Sequence, residues 1–214
     1  RKMTDDLIAR LASDLRPIPP RALERRLVLA LVLGLIVTLA GGYVLFAMLM
    51  GRPFGAAFGG PMFWVKFAYT LGIGALAAAA APTLSRPDGQ KLWPLAAIGA
   101  LILLALISGV LVWSGTQWSV PELMGATAMV CPWLITLSGA PILVAMIMAM
   151  RRFAPHSPTL AGLAAGLVAG GLGAWAYAFY CGETGMMFMA VWYTLGIAMT
   201  ALLGAIMGRV LLRW

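Results

Sequence analysis

An all-α bundle of six membrane-spanning helices is the architecture that this sequence predicts, on three observations. Apolar residues make up 62% of the 214 residues and charged residues only 10%, with a mean hydropathy of +0.94. A soluble domain carries about a quarter of its residues charged, so a water-soluble fold is excluded. Six apolar runs each approach or exceed the about 20 helical residues needed to cross a hydrocarbon core. Finally, the basic residues alternate with the spans in the manner of the positive-inside rule.

The runs lie near 27–49, 62–81, 93–113, 125–150, 159–180 and 187–211. Residues 1–26 stand apart as a cytoplasmic segment before a transmembrane domain over 27–214. The first run follows a charged stretch and reads as a true span rather than a cleaved leader. Connectors are short, and Arg86-Pro87-Asp88-Gly89 has tight-turn chemistry, with Pro fixing φ and Gly accepting positive φ. With a cytoplasmic N-terminus, Arg1, Lys2, Arg10, Arg16, Arg21, Arg25, Arg26, Arg86, Lys91, Arg151, Arg152, Arg209 and Arg213 share the inner side. Only Arg52 faces outward, and Lys66 sits just inside the second span. This asymmetry puts both termini in the cytoplasm. It also explains the net charge of +8 without nucleic acid. Trp64, Trp113, Trp118, Tyr180, Trp192 and Tyr193 then fall at the outer interface, where amphipathic rings settle.

Two patterns speak to how the spans pack. Gly162, Gly166 and Gly170 recur every four residues on the fifth span, as do Gly204 and Gly208 on the sixth, a spacing that admits close helix contact in lipid. Tyr69-Thr70-Leu71-Gly72-Ile73 returns as Tyr193-Thr194-Leu195-Gly196-Ile197, a shared packing motif rather than a duplication.

Buried ionisable residues mark ion and proton pathways. Apart from Arg209 at the inner end of the sixth, the spans hold none except Lys66, which is expected to snorkel outward or to pair with Glu122 or Glu183. A transporter is disfavoured on that ground. A quinone-linked thiol oxidoreductase is disfavoured by the lack of a CxxC pair. The chain is therefore read as non-enzymatic.

Function concentrates in two places. In the first, Thr4 caps a short helix, Asp5 and Asp6 complement its dipole, and Leu7, Ile8, Leu11 and Leu15 form one apolar stripe. Pro17-Ile18-Pro19-Pro20 ends this helix and spaces it from the membrane. About 13 residues is marginal for an isolated helix, so a partner offering a groove is favoured over lipid or the bundle itself. The second place is Cys131 and Cys181, the only two cysteines, at the outer ends of the fourth and fifth spans. Ser119-Val120-Pro121-Glu122 suggests a short surface helix, with a break at Pro132 that leaves Cys131 near a helix N-terminus, where a thiolate is favoured. A redox or metal-responsive pair, a structural disulfide and two inert thiols all fit. Glu122, Glu183 and Met186 would extend a transient metal site, the one cofactor considered; His156 lies on the other side as a solvated loop residue.

Thr4-Asp5-Asp6-Leu7-Ile8 through Arg16-Pro17-Ile18-Pro19-Pro20, then Arg25-Arg26-Leu27, resemble the opening of the negative-regulator-of-sigma-F family of proteobacterial membrane anti-sigma factors. The resemblance continues through Phe63-Trp64-Val65-Lys66-Phe67-Ala68-Tyr69-Thr70, Cys131-Pro132, Ala176-Tyr177 before Cys181, and Val191-Trp192-Tyr193-Thr194-Leu195-Gly196. It implies a six-span inner-membrane protein that holds an extracytoplasmic-function sigma factor inactive. It further implies that the segment around Thr4–Pro20 binds the sigma factor, and that Cys131 and Cys181 face the periplasm and sense metal or oxidant stress.

Overall fold

In lipid no water can satisfy backbone N–H and C=O groups, so each apolar run closes its hydrogen bonds internally as a helix. The structure, a computed structural model, describes residues 21–55, 57–86, 92–151, 153 and 155–213. Among them six helices are long and apolar enough to cross a membrane. They are α1 (Ala22–Leu49), α2 (Pro61–Leu84), α3 (Trp93–Gly115), α5 (Cys131–Met150), α6 (Pro158–Ala178) and α7 (Met186–Leu211), with α4 (Val120–Met124) a single turn between α3 and α5. The segment holding Thr4, Asp5, Asp6, Leu7, Ile8, Leu11 and Leu15 lies outside the described residues, as do Pro87, Asp88 and Gly89 of the expected turn.

Boundaries follow local chemistry. Proline lacks an N–H and is tolerated in a helix's first turn. Pro61, Pro94, Pro121, Pro132 and Pro158 accordingly stand in the first turns of α2, α3, α4, α5 and α6. Ser157 caps α6, its Oγ accepting from the Leu160 N–H at 3.3 Å. The fourth span begins at Cys131 rather than near residue 125, because Gly125 at φ 53° ends α4 and turns fill the gap up to Pro132. The short surface helix is present, but Ser119 makes no side-chain capping bond. α1 starts at Ala22, earlier than the apolar run suggests.

Strands are absent from the described residues, and α6 is the axis of the bundle. It packs against α2, α5 and α7, and its glycines are the reason. A Cβ at Gly166 would lie 2.6 Å from the Thr200 carbonyl oxygen, and one at Gly162 would overlap the Gly204 carbonyl of α7. On its other faces, a Cβ at Gly171 would meet the Gly74 nitrogen of α2 at 2.6 Å, and one at Gly173 the Gly139 nitrogen of α5 at 2.6 Å. Small residues thus let three backbones approach one helix, as lipid-embedded packing favours. α3 is at the opposite extreme, with Leu103, Leu104, Leu111 and Val112 all exposed for lipid.

The two ends differ in character. At the basic end, Arg86 donates to Glu24 at 3.0 Å and the Arg26 guanidinium lies 5.7 Å from the centre of the Phe153 ring. At the other end, α1 finishes in a π-helical stretch, Tyr43–Leu49, and α7 carries another, Met189–Tyr193. Both π stretches flank the site described next. A further contact links the two Tyr-Thr-Leu-Gly-Ile copies: the Tyr69 and Thr194 hydroxyls are 2.6 Å apart.

The packing predicts opposite outcomes for two Gly→Ala changes. Gly166→Ala should destabilise the bundle by about 1–3 kcal/mol through overpacking, whereas Gly99→Ala, with open space around it, should be neutral or slightly stabilising. Thermal unfolding in detergent would show it, and equal midpoints for the two variants would contradict the packing account.

Candidate functional site

The basic-poor end of the bundle buries a cluster that is unusual for its depth: Lys66, Cys131 and Cys181, at 1%, 0% and 1% exposure. Each arrives on a different element. Lys66 is on the second turn of α2, Cys131 opens α5, and Cys181 follows the last turn of α6. α6 holds these elements together, so the thiols meet because the glycine contacts along α6 draw α2 and α5 inward.

The two thiols are free and in side-chain hydrogen-bond contact. Lys66 closes over them. Its Nζ donates to the Cys181 carbonyl at 3.2 Å, to the Glu183 carbonyl, and toward the Cys181 sulfur at 3.8 Å. It also sits 5.4 Å from the centre of the Tyr193 ring. The expectation that Lys66 snorkels outward is therefore corrected. The turn after α6 leaves carbonyls without helical partners, and the ammonium is drawn inward to satisfy them. Pairing with Glu183 does occur, but through its backbone carbonyl.

The Glu183 carboxylate is used elsewhere. Its Oε1 accepts from the Ala126 N–H at 2.9 Å and from the Thr127 hydroxyl at 2.8 Å. This ties the turn before Cys131 to the turn after Cys181. Glu122 instead packs its backbone carbonyl against Gly185. Among the described residues no group of three or more His, Cys, Asp or Glu side chains gathers to hold a metal. The four-donor set of Cys131, Cys181, Glu122 and Glu183 is thus not assembled, and a cation already occupies the space beside the sulfur. Met186 begins α7, and His156 is exposed in the loop before α6.

Two tyrosines complete the site. Tyr193, expected at the interface, is fully buried; its hydroxyl has no conventional hydrogen bond and faces the Cys181 thiol. Tyr177 packs 6.1 Å from it, centre to centre, and accepts from Arg52 at 3.4 Å. Phe46, on the π-helical stretch of α1, leans on Tyr177 and on Tyr180 at 5.3 and 4.9 Å.

These neighbours act on Cys181. The hydrogen bond from Cys131, the Lys66 charge and the Tyr193 hydroxyl together outweigh burial and hold the Cys181 thiol below its ordinary range. Sequence reasoning favoured Cys131 as the reactive thiol on helix-terminus grounds; the donors converge on Cys181. It also missed Lys66, Tyr177 and Tyr193 as parts of one site. The available signals were an ionisable residue inside a span and the repeated Tyr-Thr motif.

The fold and the site define a polytopic membrane protein with a buried, charge-clamped pair of free thiols. The chain matches the family model described as negative regulator of sigma F over residues 11–214, and it belongs to that family, whose role is regulatory rather than enzymatic. It is 38% identical to the anti-sigma-F factor NrsF of Caulobacter vibrioides over 224 residues, spanning 99% of each chain. It is 34% identical to the probable anti-sigma-F factor NrsF of Azospira oryzae over 215 residues, again 99% of each. No solved structure matches the chain.

The lowered Cys181 thiol predicts a stability profile. Its folded-state value lies below the unfolded one, so its contribution is complete above the unfolded thiol range of about 8.5 and is lost as pH falls through the folded value. Thermal unfolding of the reduced protein should therefore weaken on acidification by an increment that Cys181→Ser removes. Identical pH profiles for the two proteins would contradict the assignment.

Proposed function

We propose that this chain is an inner-membrane anti-sigma factor that sequesters an extracytoplasmic-function sigma factor at its cytoplasmic face and releases it when the thiol pair is modified from the periplasm. The observation that carries the reading is the Cys131–Cys181 contact, in a chain alike along its whole length to anti-sigma-F factors. The distribution of Lys and Arg supports the orientation: Arg86, Arg151 and Arg209 lie at one end, and both thiols lie at the other. In a Gram-negative cell that second end faces the oxidising periplasm.

The sigma factor would be held by the segment around Thr4–Pro20, whose apolar stripe of Leu7, Ile8, Leu11 and Leu15 suits a groove on a partner. The thiol pair suits a signal that consumes thiols. Oxidation would join two neighbouring sulfurs, and so alter the end of α6 and the start of α5 together. Release needs only a modest difference in affinity, since each 1.4 kcal/mol is about tenfold in binding. The bundle itself makes no nucleic-acid contact in this reading; its other partner is the bilayer.

Deleting residues 1–20 should abolish co-purification of the sigma factor with the membrane-embedded chain, while Cys131→Ser with Cys181→Ser should retain it and lose the response to oxidant. Co-purification that survives the deletion would remove the binding assignment. An unaltered oxidant response in the double variant would move the sensor elsewhere.

A further inference from the structure

The regulatory reading leaves Lys66 without a role, yet it is the most demanding residue in the bundle. A buried ammonium needs a counter-charge as well as acceptors. Its three N–H donors have three acceptors: the carbonyls of Cys181 and Glu183 and the Cys181 sulfur at 3.8 Å. Carbonyls supply dipoles but no charge. The Glu183 carboxylate is turned to Ala126 and Thr127. Of the other titratable groups facing the pair, Cys131 donates to Cys181, Tyr193 presents its hydroxyl to the same sulfur, and Tyr177 is engaged by Arg52. Cys131, Tyr193 and Lys66 all bring hydrogen or positive charge to Cys181, and of the three acceptors of the ammonium only this sulfur can carry negative charge.

We propose that Lys66 is the positioning residue of the thiol pair: its ammonium is the counter-charge of the Cys181 sulfur, makes Cys181 the attacking thiol toward a hydroperoxide, and loses that counter-charge when the disulfide closes. The proposal rests on the thiol-pair reading above. Cys181 sulfur attacks one oxygen of hydrogen peroxide; the S–O bond forms, the O–O bond breaks, and the departing hydroxide takes a proton from solvent to become water. Cys131 sulfur then attacks the Cys181 sulfenic acid; the S–S bond forms and the hydroxyl leaves with the Cys131 proton as a second water. The two sulfurs lose two electrons and the peroxide gains them. A disulfide sulfur carries no charge, so the ammonium that holds α2 to the 181–185 turn keeps its two carbonyls but loses its counter-charge. α2 ends beside Arg86, the partner of Glu24 at the base of α1. One helix therefore joins the thiol chemistry to the end of the bundle nearest the N-terminal segment.

The test uses the full chain, reduced and embedded in vesicles, exposed to hydrogen peroxide at neutral pH. Disulfide closure is followed by quenching, denaturing and capping the remaining thiols with a mass-adding maleimide. Lys66→Met should slow closure roughly tenfold or more, because an ordinary thiol is only a few per cent thiolate at neutral pH. Raising the pH through the ordinary thiol range should restore the rate, and Lys66→Arg should retain much of it throughout. Should Lys66→Met close no disulfide at any pH, Lys66→Gln decides, since it can still donate to the carbonyls without charge; the same slow rate is expected. An undiminished rate at neutral pH in an uncharged variant overturns the proposal. If the wild type forms no disulfide at all, the thiol-pair reading falls with it. If closure depends on Lys66 but sigma-factor retention ignores it, release by the thiols fails and the Lys66 assignment stands.

Discussion

An ammonium group carried into the interior of a membrane protein must be met there by acceptors and by charge, and the rest of this bundle is arranged around that requirement at Lys66. The turn after α6 supplies two carbonyls, and Cys181 supplies a sulfur. The Glu183 side chain is free to staple that turn to the one before Cys131, because its backbone, not its carboxylate, serves the lysine. Lys66 thus ties α2 to the turn after α6, and Glu183 ties that turn to the one before α5.

The glycines of α6 make this arrangement possible. They bring α2, α5 and α7 within backbone contact of a single helix, so residues from three elements reach a common point at its end. The π-helical stretches of α1 and α7 lie at the same level and present Phe46 and Tyr193 to the cluster. π-bulges of this kind cost regular hydrogen bonding and recur at functional sites. The contacts that fix the fold also fix which sulfur is surrounded by donors.

Much of this was legible in the chain. Length and hydropathy identify the six spans, because lipid leaves the backbone few alternatives, and the every-fourth-residue glycines identify the α6–α7 contact. The meeting of Cys131 and Cys181 was legible as an option, since both fall at the same ends of consecutive spans. Gly74 and Gly139 as partners of α6 were not, because an isolated glycine carries no periodicity. Lys66 was misread for a physical reason. A lysine one turn inside a span usually reaches the interface, and only the orphaned carbonyls after α6, which no sequence pattern announces, reverse its direction. Tyr193 was likewise assigned to the interface by composition, although a tyrosine at that depth also fits a polar core.

Belonging to the negative regulators of sigma F gives the bundle a task, and the Lys66–Cys181 contact gives it a starting state. The most direct test of that state is infrared spectroscopy of the S–H stretch in the reduced chain, embedded in a bilayer at neutral pH. A single hydrogen-bonded S–H, assigned to Cys131 by its loss in Cys131→Ser, is the result the account predicts. Two S–H bands in the wild type, one of them removed by Cys181→Ser, would place a neutral thiol beside Lys66 and contradict it.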